Sequence, residues 1–580
     1  MVEAYGDLAD MKFEQIVKLW NYLSPRRKKQ YIILLIFMMF TSIVEVFSIG
    51  SVVPFLAAIT SPEILFNDAR FVPLLKNLNI NKPSELLLPA TLIFMVASLL
   101  SGATRLFLSY ATNMLSVVTG AEMSKEIYQK TLYQPFAVHN NRNSSEVISG
   151  IMGKSNNVIS YVLQPILTVL SSFFIISAIL ASLMLMEPYV TIGSFSMFGF
   201  MYIYIAYRTK RKLVSNGEVI NKNLTYIYKS LQEGLGGIRE VILDGSQKFY
   251  IELYSQSDLP YRKAMADNSY LSSKPRYIME AFGMAAMAIF AYVSAVNTNS
   301  ILAIVPILGS LALGAQKLLP IFQQVYASWA NVKGAEKIMD DVLGLLGQKM
   351  PETSDSDGNQ KKLKFENLIE VKDLNFRYNS ELPPILTNFN LKIEKGSRVG
   401  IIGKTGAGKS TLVDIIMGLL EPESGKILID GVALDAQNLR PWQRNLAHVP
   451  QSIFLADTSI LENIALGIPK GQIDIDKIKL AARQAQIGEF VESLPDGYNT
   501  YVGERGVRLS GGQKQRIGIA RALYKEASVI VFDEATSALD NETEQAVMEA
   551  INQLDKSLTI IIIAHRLSTI ENCDNIVSLT

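Results

Sequence analysis

Two short stretches of this chain carry residue types spaced for phosphoryl chemistry. Gly403, Lys404, Thr405, Gly406, Ala407, Gly408, Lys409 and Ser410, followed by Thr411, fit the P-loop pattern and stand between an apolar strand-like run and a helical one. The glycines let backbone N–H groups turn toward phosphate oxygens, and the start of the helix adds a favourable field. Lys409 would contact the β- and γ-phosphates, and Ser410 would offer its hydroxyl to Mg²⁺. A chance glycine-rich turn would not reproduce the whole pattern in this context. Further along, Val529, Ile530, Val531 and Phe532 form an apolar strand that delivers Asp533 to the metal, and Glu534 beside it can polarise an attacking water. An acidic pair at a strand end can also be a simple helix cap, but the P-loop upstream favours the catalytic reading. Taken alone, these two stretches specify an NTPase.

A third stretch narrows the class. Leu509, Ser510, Gly511, Gly512 and Gln513 resemble the signature of ABC transporters, and other motifs of that family follow the family order. By this resemblance, Tyr378 matches the aromatic that stacks on adenine, and Gln451 matches the Q-loop, which serves the metal and the catalytic step. Residues 500–506 look like the x-loop of exporters. Ser537, Ala538, Leu539 and Asp540 match the D-loop, and His565 matches the switch histidine of catalysis. Each has a structural reading when taken singly, Tyr378 as a strand aromatic and His565 as a capping histidine. Their order along one chain is what makes the set specific. The resemblance covers essentially the entire chain and implies ATP and Mg²⁺ as ligands.

Physics supports the mechanism that the family implies. Ser510 and the glycines after it open a helix, a second phosphate-binding N-terminus. One chain cannot bring that motif and its own P-loop to the same γ-phosphate, whereas two chains facing head to tail can. The expectation is a homodimer with two equivalent ATP sites, with a heterodimer left open. Closure on ATP and reopening after hydrolysis would be the power stroke. Segments near 135–145 and 233–240 match the intracellular turns that pass this motion on in exporters, though they also read as ordinary helix-connecting turns.

The elements that must position these residues divide by composition. The chain has 580 residues, 49% of them hydrophobic, a net charge of +1 and a single cysteine, Cys573. Its mean hydropathy is +0.21, so part of it belongs in lipid. The charge balance names no polyanionic partner, and no nucleic acid is expected. One cysteine excludes a disulfide framework and a cysteine zinc site. Six apolar windows long enough to span a bilayer fall at about 31–58, 86–112, 158–186, 189–208, 276–296 and 299–322. The first is too long for a signal peptide. Amphipathic continuations at 123–133 and 212–228 predict helices that overrun the membrane.

Arg26, Arg27, Lys28 and Lys29 precede the first window, and Arg208, Lys210, Arg211 and Lys212 follow the fourth, so both termini are expected in the cytoplasm. No transit sequence is evident, which favours a bacterial inner membrane for this multi-pass chain. Residues 351–362 are polar and aperiodic, and a soluble α/β pattern follows. The expected fold is an α-helical six-span membrane domain plus an α/β P-loop ATPase domain of the ABC type. Its divisions are a membrane domain over 1–346, a linker over 347–366 and a nucleotide-binding domain over 367–580.

Charges inside the spans bear on the cargo, because they are costly in lipid and usually functional. Arg105, Arg276 and Lys317 fall at one depth near the inner headgroups when each helix is counted at about 1.5 Å per residue. Facing inward in a dimer, they would form a positive belt suited to a phosphate or pyrophosphate headgroup. The plainer reading is snorkelling to anionic lipid, and Glu280, four residues after Arg276, could neutralise it. Glu45 lies near mid-membrane, either facing a pore or pairing with a neighbouring helix. Residues 43–49 and 53–55, with Lys317, Leu318, Leu319 and Pro320, resemble half-transporters that flip lipid-linked oligosaccharides in bacterial N-glycosylation. The amphipathic stretch 66–80 is similar to their short external helix. That resemblance implies a polyprenyl-pyrophosphate oligosaccharide as cargo. Peptide, lipid A and hydrophobic drugs are the alternatives, and the lysine at 317, where those flippases prefer arginine, weakens bidentate phosphate binding. A self-processing peptidase is not expected, since no cysteine precedes Cys573.

Overall fold

Uninterrupted apolar and amphipathic runs become very long helices in the first 350 residues. The computed structural model describes residues 13–60, 62–67, 82–186, 188–297, 301–350, 362–379, 381–534, 541–564 and 566–579. They fall into two compact units, one within Met1–Gln134 and Arg142–Met350, the other within Pro135–Asn141 and Pro351–Thr580.

In the first unit the main helices are α1 (Pro25–Thr60), α2 (Leu87–Leu132), α3 (Gln164–Met186), α4 (Pro188–Gly236), α5 (Gln247–Asn297) and α6 (Ile301–Gly334). Pro54, Pro260 and Pro275 lie inside α1 and α5 without ending them. At 46, 49 and 51 residues, α2, α4 and α5 exceed by far the ~20 residues that a hydrocarbon core requires. The expected amphipathic continuations at 123–133 and 212–228 are the ends of such helices. Three stretches among the described residues are long and apolar enough to cross a membrane, Pro25–Val52, Leu87–Leu132 and Ser144–Ala181. Their outer faces carry apolar side chains that water would not tolerate in such density: Ile43, Leu99 and Leu106 are all at least two-thirds exposed. The expected external helix at 66–80 lies mostly outside the described residues.

In the second unit, β1 (Leu368–Phe376), β2 (Leu386–Glu394), β4 (Ser424–Ile429) and β5 (Val432–Ala433) form an antiparallel sheet in the order β2-β1-β4-β5. The second sheet is parallel, in the order β6-β7-β8-β3-β9, from β3 (Arg398–Gly403), β6 (Leu446–Val449), β7 (Val529–Asp533), β8 (Thr559–Ile563) and β9 (Asn575–Leu579). Every residue of β8, and all of β7 but its last, is buried. This fits the continuous Val/Ile runs of a sheet covered on both faces. Parallel strands put their C-terminal ends along one edge, the place where open α/β sheets bind ligands. The segments leaving β3, β6 and β7 therefore share that edge.

One carboxylate fastens the end of β4 to the start of its neighbour β1. Asp430 follows β4 and accepts from the backbone N–H groups of Glu366, Asn367 and Leu368 at 2.6, 2.9 and 2.7 Å. Burial works against its charge, but these donors outweigh it and hold the carboxyl below its ordinary value. A depressed carboxylate contributes stability above its unfolded pKa of about 4, and that contribution is lost as pH falls through the folded value. Asp430→Ala should therefore cost about 1–3 kcal/mol near neutrality. The gap in thermal stability between variant and wild type should narrow progressively as pH falls below about 4, and a gap independent of pH would refute the assignment.

Candidate functional site

The P-loop leaves β3 and enters α7 (Lys409–Ile416), with Gly408 as its N-cap at φ +88°. A Cβ at Gly408 would lie 2.5 Å from Ile385 Cγ2, and Gly406 stands at φ +86°, so both positions favour glycine. Lys409 is 6% exposed, and its Nζ donates to the carbonyls of Gly403 and Lys404 at 2.9 and 3.2 Å. These bonds pin the ammonium over the loop formed by Lys404, Thr405, Gly406 and Ala407. The Tyr378 hydroxyl lies 3.1 Å from Thr411 Oγ1, and its half-exposed ring meets Phe376 edge-on. The aromatic expected against adenine is thus beside the P-loop helix.

Asp533 ends β7, and Glu534 follows in the left-handed region at φ 48°, its N–H donating to Ile563 O at 3.1 Å. Gln451, two residues past β6, donates from Nε2 to Glu534 Oε2 at 3.0 Å. Residues from three strand ends therefore converge, as the parallel topology requires. Asp414, on α7 one turn beyond Ser410, was not anticipated. Burial, and then the charge of Asp533, push its carboxyl up to about 6. The sequence signal was available, since an acid four residues after Ser410 shares its helix face.

The oxygen donors Ser410, Asp533 and Gln451 suit a hard cation such as Mg²⁺. No group of three or more His, Cys, Asp or Glu able to hold a metal occurs among the described residues, so any ion here would share mixed donors with phosphate oxygens.

Ser510 caps α8 (Gly511–Tyr524). Its Oγ accepts from Gln513 N at 3.3 Å, and its N–H donates to Gln513 Oε1 at 2.8 Å. This capping box presents Ser510 and Gly511 at an exposed helix start. Gly512 is buried behind them, and Leu509 packs on a hydrophobic cluster separate from the one that holds α7. Asp540 and His565 lie outside the described residues.

Two of the cations expected in the belt have carboxylates beside them. Glu45 is 2% exposed and accepts from Ser101 Oγ, and Arg105 Nη1 lies 3.5 Å from Glu45 Oε1. Glu45 is thus a partner to the neighbouring helix. Arg276 pairs with Glu280 at 2.8 Å. Two of the three belt cations, Arg105 and Arg276, are therefore compensated by carboxylates. The side chain of Lys317 lies outside the described residues.

Comparison with known proteins agrees with this architecture. The family model of the ABC transporter transmembrane region matches residues 30–311, and that described as ABC transporter matches residues 386–537. A relative described as an ATP-dependent lipid A-core flippase, from Francisella tularensis subsp. tularensis, is 31% identical over 475 residues, covering 78% of this chain and 74% of that one. Another of that description, from Saccharophagus degradans, is 29% identical over 486 residues, covering 83% and 80%. A solved bacterial Atm1-family ABC exporter with ATP bound shares the fold at a TM-score of 0.73. Its identity is 22%, over 92% of this chain and 93% of that one.

Proposed function

The chain belongs to the ABC transporter family, a membrane domain fused to an ATP-hydrolysing domain, and from that premise we propose that it moves an anionic, lipid-linked amphiphile from the cytoplasmic to the outer side of a bacterial inner membrane. The observation that carries this reading is one polypeptide in which the P-loop, the Glu534–Gln451 pair and the signature helix accompany long lipid-compatible helices. A soluble ABC ATPase would have no use for the latter.

In this reading two copies of the chain enclose two ATP molecules. Tyr378 stacks on adenine, Lys409 and the P-loop amides hold the phosphates, and the partner's capped signature helix completes each site. Ser410, Asp533 and Gln451 would hold Mg²⁺, which would supply neutralisation of phosphate charge there. Glu534 accepts the proton of the attacking water, with His565 assisting and Asp540 at the dimer seam. Exposed apolar side chains support a second copy. Leu235, Leu243 and Phe249 are at least 60% exposed far from the spans, as are Phe454 and Val507 on the ATPase unit. Phe136–Asn140 falls within the same compact unit as the ATPase, which favours a coupling role for that turn.

For the cargo, the paired arginines favour a phosphate-bearing headgroup that competes with Glu45 and Glu280 for Arg105 and Arg276, with Lys317 as a third cation. A polyprenyl-pyrophosphate oligosaccharide fits that chemistry, and the descriptions of the relatives favour lipid A as the second reading. Reconstituted protein offered labelled polyprenyl-pyrophosphate oligosaccharide, lipid A and short peptides should translocate an anionic lipid in an ATP-dependent way. Transport of peptide alone would end the amphiphile reading.

A further inference from the structure

The loop after β6 contains Gln451 but has no ladder or helix of its own, and side chains from the signature helix hold it. Gln515, two residues beyond the signature, is 6% exposed, and its Nε2 donates to the Gln451 carbonyl at 2.9 Å and reaches the Pro450 carbonyl at 3.5 Å. Two turns on, Arg521 Nη2 donates to the Phe454 carbonyl at 3.0 Å and its Nε to the Asn463 carbonyl at 2.9 Å. α8 thereby holds the loop at Gln451 and Phe454 and the short helix after it at Asn463, and the Gln451 side chain in turn holds Glu534 at 3.0 Å.

Gln515 is a costly residue for a purely mechanical clamp. Its Oε1 is buried with no hydrogen-bond partner, a penalty that an apolar side chain of similar volume would avoid. The amide cannot be turned around, because the two carbonyls require donors. What the amide provides is a directional grip on the backbone of Gln451, whose side chain donates to the catalytic carboxylate.

We propose that Gln515 is a positioning residue that ties the signature helix to the catalytic glutamate of its own chain. The inference rests on the two-chain arrangement proposed above. There, Ser510 engages the ATP bound by the partner's P-loop, while Gln515 on the same helix sets Gln451 and Glu534 at the other ATP. Seating the signature at one site therefore adjusts catalysis at the second, through three residues of one polypeptide.

In homodimers, Gln515→Leu and the isosteric Gln515→Glu, neither able to donate to the carbonyls, should lower kcat for ATP by ~10- to 100-fold with KM unchanged and normal thermal unfolding. Wild-type kcat in both variants would overturn the proposal. Mixed dimers then locate the effect, with Glu534→Gln in one chain silencing the site that uses that chain's P-loop. Gln515→Leu placed in that same chain should leave the remaining ATPase rate of the mixed dimer intact. Placed in the other chain, it should lower that rate by the same ~10- to 100-fold. The reverse pattern would assign Gln515 to the partner's site through Ser510, and equal losses would reduce it to a fold-stabilising residue; either outcome overturns the proposal. Failure of the two-chain reading shows separately, as chains that do not associate.

Discussion

Glu534→Gln should slow ATP hydrolysis by ~10²- to 10⁴-fold while nucleotide affinity stays near wild type. The carboxylate sits where three strand ends meet, with Gln451 Nε2 donating to Oε2 at 3.0 Å. Glutamine keeps the side-chain shape and one acceptor oxygen, so the bond to Gln451 survives in the variant. The left-handed backbone at 534 (φ 48°) costs glutamine no more than glutamate. What is lost is the ability to take a proton from water. Steady-state phosphate release, measured beside equilibrium binding of a fluorescent ATP analogue, separates the two effects. Turnover at the wild-type rate would show that another residue is the base.

Lys409→Ala should act on the opposite quantity. Its ammonium is fixed by the carbonyls of Gly403 and Lys404, so it is preorganised over the loop and pays little ordering entropy when phosphates arrive. Removing a charged hydrogen bond of this kind costs about 1.5–3 kcal/mol, which predicts an affinity for ATP roughly 10- to 150-fold weaker. The same change strips donors from two carbonyls, so a small loss of thermal stability accompanies it. Equilibrium titration with ATP in the absence of turnover reads the affinity directly. Unchanged affinity, with the helix content intact, would contradict the assignment of Lys409 to the phosphates.

How much of this was legible beforehand depended on the range of the interaction. The P-loop, the acidic strand end and the capped signature helix are local patterns, and Gly403 to Ser410 or Ser510 with Gln513 declare their geometry within a few residues. The long helices were legible for the same reason, as continuous apolar and amphipathic period. Pairings across helices were not. Nothing near Glu45 in the chain indicates that Ser101 and Arg105 approach it, and counting depth along single helices left Arg105 free of its counter-charge. Glu280, four residues from Arg276, could be anticipated because the helix itself sets that spacing. Gln515 belongs to the first class in position and to the second in meaning. It stands beside the signature, yet its partner Gln451 is 64 residues away.

The account turns on two ATPase units being drawn together by nucleotide. Cys573 is the only cysteine, and burial pushes its thiol up to about 11, so it should resist labelling at neutral pH. A spin label on an introduced cysteine at the exposed Lys479 position can then report the distance between chains. In nanodiscs, Glu534→Gln protein carrying that label should show a single short interchain distance with ATP and Mg²⁺ and a longer, broader distribution without them. An interchain distance indifferent to ATP, or no interchain signal at all, would contradict it.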